Sequence, residues 1–302
     1  MLLFLATLPP LLWALVNHID KFAVDRYMKN RDAGALVIFT GLAGFFLGFL
    51  VLLTGKVQSI PLHYIVPMIA GGVILVLSYV PYLYALDGDE ASNVGPLFQL
   101  VTPCVYVLAF IFLGEKLATP QLIAGGMIFI GALILSFDFK KTKIRMRSLL
   151  LMVLSSFLIG LNVVVFKSFA LQTTFWTMAF YDLVGAALGG VLVFTCVRVY
   201  REAFLSTIAE FRYKVVSVNM LAETTSVLAR LINGFVSLFL PIAIVQFVNG
   251  LQPLFILTIG IMVTKFAPRY GKEVVDRHAL VQKFSAIVLM VSGLALLSFF
   301  VY

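Results

Sequence analysis

The chain has 302 residues, 62% of them hydrophobic and only 12% charged. Soluble domains run to about half apolar and a quarter charged, so a soluble fold is excluded and an integral membrane protein is indicated. The net charge of +8 does not signal nucleic acid, because the basic residues stand in short loops with no interleaved aromatic residues.

Runs of membrane-spanning length, about 20 apolar residues, are expected near 2–19, 34–54, 63–84, 92–113, 120–137, 148–170, 175–197, 214–238, 240–264 and 281–301. Lipid offers backbone groups no hydrogen bonds and no run alternates like a barrel strand, so all ten are read as helices. The first lacks a basic stretch before it and a small-residue cleavage site, and is read as a span, not a signal peptide. Cys104 and Cys196 fall inside apolar runs and offer neither a disulfide framework nor a CxxC pair.

Charged groups inside a bilayer cost about 2.5–3.5 kcal/mol each, so each needs a reason. At the end of span one, Asn17, Asp20 and Lys21 share one helix side at i, i+3 and i+4. They are expected to pair or to face a cavity, with snorkelling of Asp20 and Lys21 as the alternative. His18 and Asp20 do not share a face, so no metal pair is expected there. In span three, Tyr79 and Tyr82 lie one turn apart and can line a cavity.

From Tyr79 to Phe137 two apolar spans are joined by a Gly-Glu-Lys turn, the first interrupted near its middle by Pro96 and Pro103. Between spans three and four, Asp87 to Glu90 reads as a solvated turn, too short for a calcium loop, with Ser92 as the cap of span four. Span six carries Asn162 and Lys167. Glu223 and Arg230 in span eight share a face about 10 Å apart, which leaves each available to a substrate, a proton or another helix; a bridge to Asp182 or Lys167 is the competing arrangement. Gln99 and Thr102, and Gln246, Asn249 and Gln252, gather around Pro103 and Pro253. Proline frees neighbouring backbone groups to meet a ligand, while Gln and Asn also serve as interhelical ties.

The halves repeat. Pro103 corresponds to Pro253, the ending Gly131 to Phe137 to Gly293 to Phe299, and Gly44 and Gly48 to Gly185 and Gly189, whose small-xxx-small faces permit close packing. Five spans per repeat is an odd number, so the second half, 146–302, crosses in the sense opposite to the first, 1–140. The expected fold is all-α: ten transmembrane helices in two inverted five-helix repeats, as in many secondary transporters. Lys and Arg crowd the odd-numbered loops, at 21–31, 140–147, 198–214 and 265–283, whereas the even-numbered loops carry only Lys56 and Lys116. The positive-inside rule makes the odd loops cytoplasmic and puts both termini outside.

Tyr84-Ala85-Leu86, Ala91-Ser92-Asn93-Val94, Pro103, Leu113-Gly114-Glu115-Lys116-Leu117 and the glycine-bearing fifth span together resemble the EamA-type families of the drug/metabolite transporter superfamily. Trp13 with Lys21, and the Gln252 to Phe255 run, resemble a subgroup of those transporters. The resemblance implies a ten-helix carrier working by alternating access, its cavity lined by spans one, three, four, six, eight and nine. One departure is that Lys265 stands in the second repeat where the first has Glu115. The expected partners are a small polar metabolite, such as an amino acid or similar amphiphile, a coupling proton and the lipid bilayer, with no nucleic acid and a monomeric chain. The expected location is the plasma membrane, in bacteria the inner membrane. Lys21 and Lys167, one near each gate, would suit an anionic or zwitterionic substrate. His18, His63 and His278 are isolated from one another, so no metal, cofactor or enzymatic activity is expected. A membrane enzyme is the rival class and a channel or scramblase a third possibility, but no span is uniformly polar on one side.

Overall fold

A span in lipid has to satisfy its own backbone groups, and the apolar stretches of the chain are helical throughout the described residues. The structure, a computed structural model, describes residues 2–27, 34–88, 94–137, 145–266 and 277–300. Ten helices among them are long and apolar enough to cross a membrane. They are span one Leu2–Val24, two Ala35–Leu53, three Leu62–Leu86, four Gly95–Leu113, five Thr119–Ser136, six Met146–Gln172, seven Phe175–Cys196, eight Tyr213–Ser237, nine Ile242–Phe266 and ten Val281–Phe300. Large side chains such as Phe45, Phe49, Phe112 and Phe299 face outward, as a lipid-facing surface requires.

Span one departs most from its expected range, continuing past residue 19 to Val24. Just before the continuation, His18 Nε2 lies 3.1 Å from the Ile256 carbonyl of span nine. A hydropathy reading sees only the side chains and ends the span too early. The loop after span seven also holds more structure than its charges suggested. There Arg198–Phe211 is a helix that buries Tyr200, Ala203, Phe204 and Thr207 while its charged face stays outside.

The helices pair between the two halves of the chain. Span five packs on ten, two on seven, three on six and seven, one on eight and nine, and four on six. Exchanging every span for the one five places along converts three–six into eight–one and four–six into nine–one, so these pairings map onto themselves. The five–ten seam repeats the relation at residue level. A Cβ on Gly131 would fall 2.4 Å from Met290 and 3.0 Å from the Ala286 carbonyl, and one on Gly293 would fall 2.8 Å from the Ala124 carbonyl and 2.9 Å from Ile128. Gly131 and Gly293, Ala124 and Ala286, and Ile128 and Met290 are related by one sequence offset. Such reciprocity is what a two-fold axis between inverted repeats demands, and the chain is an all-α membrane protein of two inverted five-helix repeats.

The small-residue faces expected in spans two and seven are close contacts: a Cβ on Gly44 would lie 2.8 Å from the Leu183 carbonyl, and one on Gly185 2.1 Å from the Ile69 carbonyl. The prolines act differently from the expectation. Span four is not broken near its middle; Pro96 opens a 3₁₀ stretch, Gly95–Leu100, that passes directly into the α-helix Val101–Leu113. Pro103 is the third residue of that helix, in its first turn, where its fixed φ suits the helix. Span nine is interrupted, between the helix Ile242–Asn249 and the helix Gln252–Phe266, and Pro253 is the second residue of the latter. Span three carries Pro67 and Pro81 within one continuous helix, Leu62–Gly88. Ser92, most of the acidic turn before it and the basic residues at 28–33, 138–144 and 267–276 lie outside the described residues.

Candidate functional site

Three spans direct charged and phenolic groups to one interior region. Asp20 of span one is within electrostatic range of Tyr79 and Tyr82 of span three and of Glu223 of span eight, and Tyr79 and Glu223 are within range of each other and of Arg230 of span eight. The shared helix faces explain the grouping: Tyr79 and Tyr82 lie one turn apart, and Glu223 and Arg230 two turns apart. Span two closes the side of the chamber, where Thr40 donates its hydroxyl proton to Glu223 Oε1 at 2.7 Å. The Tyr82 ring packs on Phe98 of span four with centroids 4.6 Å apart. Ion pairs among the described residues join Lys167 with Glu115, Arg198 with Glu202 and Arg230 with Asp182, and none of these takes up Asp20 or Glu223.

Of the two arrangements open to Arg230, the structure holds the bridge to Asp182. Its guanidinium lies 3.4 Å from Asp182 Oδ2, with Asp182 itself buried. The other carboxylate oxygen accepts from Asn162 Nδ2 at 2.8 Å, and the same amide also donates to the Gly71 carbonyl at 3.0 Å. Spans three, six, seven and eight are tied by this network. Arg230 Nη1 makes no hydrogen bond of proper geometry among the described residues, so the 3.4 Å contact is a charge pair and not a formed hydrogen bond.

Lys167 corrects an expectation. Instead of a free cation awaiting an anion or snorkelling outward, it is buried, paired with Glu115 of the Gly-Glu-Lys turn, and donates to the Leu240 carbonyl at 2.8 Å. Glu115 Oε2 in turn accepts from the Ile242 backbone N–H at 2.7 Å. An ammonium thus meets the carbonyl that ends the turn after span eight, and a carboxylate meets the first N–H of the span-nine helix, as terminal partial charges favour. Gly114, at φ 66°, supplies the left-handed residue that ends span four and presents Glu115. One ion pair therefore closes the end opposite the basic loops, joining the four–five turn, span six and the eight–nine turn.

A carboxamide cluster occupies the interruption of span nine. Asn249 Nδ2 donates to Asn233 Oδ1 at 2.8 Å and to Gln246 Oε1 at 3.2 Å, and Thr102 of span four reaches the Gln246 carbonyl at 3.5 Å. Asn249 Oδ1 is buried with no partner among the described residues.

Of the residues read as candidates, Asp20, Tyr79, Tyr82, Glu223 and Arg230 come together, Asn162 joins them through Asp182, and Asn249 heads a separate cluster. Asn17 does not join Asp20; its amide turns back to the Trp13 carbonyl at 2.8 Å. Lys21 is exposed, Trp13, Gln99 and Gln252 are half-buried, and Lys167 belongs to the closure at the far end. Sequence reasoning passed over Thr40, Asn233 and the partner of Glu115. The absence of an acid at residue 265, where the second repeat departs from the first, was the available hint that Glu115 has a task of its own.

Residues 1–137 match the sequence model of the EamA-like transporter family. No curated protein matches the chain. One solved structure, described only as the crystal structure of a protein, superposes on 99% of this chain and 97% of its own with a TM-score of 0.65 at 13% identity. At that identity the likeness concerns the fold alone.

Proposed function

We propose that this chain, whose residues 1–137 match the model of the EamA-like transporter family, is a secondary transporter that moves a small polar or amphiphilic metabolite by alternating access. The observation that carries the reading is the interior chamber. Asp20, Tyr79, Tyr82, Glu223 and Arg230 converge from both halves of the chain, and ionisable groups at such a depth are costly and mark substrate or ion pathways. The repeats 1–140 and 146–302 rock about the five–ten and two–seven seams, and the pair Lys167–Glu115 closes one end while the chamber faces the other. The basic loops lie in the cytoplasm and both termini outside, so the closed end is the external one. The chain works as a monomer in the plasma membrane, with Glu223 or Asp20 as the carrier of a coupling proton.

The test is a flux comparison in liposomes. Saturable uptake that accelerates when unlabelled substrate is loaded on the far side marks a carrier, and Glu223→Gln is expected to abolish it with membrane abundance unchanged. Flux that rises linearly with concentration and ignores the far side would reject the reading in favour of a channel or scramblase.

A further inference from the structure

The helix Arg198–Phe211 joins spans seven and eight and lies against the ends of its neighbours. A Cβ on Gly34, just before span two, would fall 2.1 Å from the Tyr200 ring. Phe204 meets Phe39 of span two and Phe194 of span seven edge-on, with centroids 5.0 and 6.1 Å apart. Span ends mark the headgroup layer of a bilayer, so this helix rests at that depth.

The chain leaves the helix at Arg212, with φ 48° and ψ −128°. That conformation favours glycine, and Arg212 is the one non-glycine residue with positive φ among the described residues. Its Cβ is crowded against the backbone there, and strain of this kind collects at ligand clamps. The side chains around it say what the ligand is. Arg201, Leu205, Ile208 and Arg212 recur at intervals of four, three and four residues, one stripe of the helix, while the acids Glu202 and Glu210 stand off that stripe. Arg198 is paired with Glu202, and Arg201 reaches the Thr195 carbonyl at 3.5 Å. Arg212 and Lys214 are exposed, and neither side chain has a partner among the described residues. Leu205 and Tyr213 beside them are 51% and 74% exposed. Unpaired cations next to bare apolar and phenolic surface, at headgroup depth, match a lipid that carries negative charge above an acyl chain.

We infer that Arg212, Lys214, Tyr213 and Leu205 form a site for an anionic phospholipid, the two cations on its headgroup and Leu205 and Tyr213 against the start of its chain. A zwitterionic headgroup brings a cation of its own and is repelled; a free phosphate lacks the chain. The site is independent of the transporter reading, since it needs only a bilayer around the spans. Span eight starts at Tyr213, so the bound lipid holds the entry to the span that bears Glu223 and Arg230.

The probes are dioctanoyl phosphatidylglycerol, dioctanoyl phosphatidylcholine and glycerol 3-phosphate, titrated onto the full chain in nonionic detergent while Tm and backbone hydrogen exchange over 205–216 are followed. Phosphatidylglycerol is expected to raise Tm and slow exchange over 205–216, with the other two needing about tenfold higher concentration or more. Each cation at a headgroup is worth about fivefold in affinity, so Arg212→Gln should raise the half-saturating concentration of phosphatidylglycerol about fivefold, and the further change Lys214→Gln about fivefold again. Arg212→Gly separates strain from binding: without lipid its Tm should rise by about 2 °C, while phosphatidylglycerol weakens about fivefold. An equal response to phosphatidylcholine would make the stripe a surface for any lipid, and an equal response to glycerol 3-phosphate would make it a plain anion site; either overturns the proposal. So would slowed exchange only outside 205–216, which would place the lipid on another basic loop, or an unchanged half-saturation in Arg212→Gly. A lower Tm in Arg212→Gly without lipid would remove the strain from which the inference starts. The comparison of probes uses the unsubstituted protein and does not depend on any variant folding.

Discussion

Replacing Lys167 by methionine removes the ammonium while keeping most of the side chain's length and apolar stem. Glu115 then loses its partner at a site where the two side chains are only 8% and 16% exposed. Removing one member of a buried pair costs about 3–5 kcal/mol, because the remaining charge is left uncompensated. Here the cost falls toward the lower end, since Glu115 retains the Ile242 N–H at 2.7 Å. The bond from Lys167 to the Leu240 carbonyl is also lost, about 1.5–3 kcal/mol for a charged donor, and the two losses overlap because both belong to the same ammonium. A net loss of about 3 kcal/mol corresponds to a fall in Tm of about 5 °C or more for a chain of this size. The assay is a double-mutant cycle of Lys167→Met, Glu115→Gln and the pair, followed by thermal unfolding in detergent. Glu115→Gln alone should also destabilise, since it leaves the ammonium unpaired, and the double variant should recover more than half of the loss. If Lys167→Met leaves Tm unchanged, or the two effects add without recovery, the pair does not close the end of the bundle and the derivation from its burial is wrong.

Arg230→Ala should strand the buried Asp182 and lower membrane abundance, whereas Arg230→Ala with Asp182→Asn should restore abundance by immunoblot without restoring transport, because Asn162 can still bond residue 182. Gly131→Val and Gly293→Val should each force the five–ten seam apart and reduce recovery of monodisperse protein in size-exclusion chromatography to a similar degree, as a reciprocal contact requires. Equal volume added at Gly126, where a Cβ would meet nothing within 4 Å, should be tolerated. On the helix Arg198–Phe211, Arg198 holds the Glu202 carboxyl below its ordinary range through a hydrogen bond and charge. A lowered carboxyl stabilises above its ordinary titration range and loses that contribution as pH falls through the lowered value. Both groups are exposed, so Glu202→Gln should leave Tm at neutral pH unchanged.

The spans and their inverted order were legible because lipid imposes a length and a composition that the sequence carries openly. Glycines at matching places in spans five and ten gave the two-fold seam for the same reason: a close approach leaves room for no other residue. Span one was read short because Asn17, His18 and Asp20 lower its hydropathy, yet the stretch packs against span nine instead of lipid. The faces of Tyr79, Tyr82, Glu223 and Arg230 followed from helical spacing, which fixes direction along one element. Partners did not follow, because spacing says nothing of which helix stands opposite. The pairs Lys167 with Glu115 and Arg230 with Asp182 join residues far apart in the chain, and only the packing of spans decides them. Pro103 misled because the same residue that disrupts a helix interior is well placed in a first turn, whereas span nine is interrupted just before Pro253.

Counterflow across liposomes holding the purified chain tests the central claim most directly, that a site between the two repeats is exposed to each side in turn. With a metabolite that raises the unfolding temperature of the purified chain loaded inside, the same labelled metabolite outside is predicted to enter faster than into empty vesicles, to saturate, and to stop in Glu223→Gln. Entry that is indifferent to the internal metabolite and unaltered in Glu223→Gln would contradict the account.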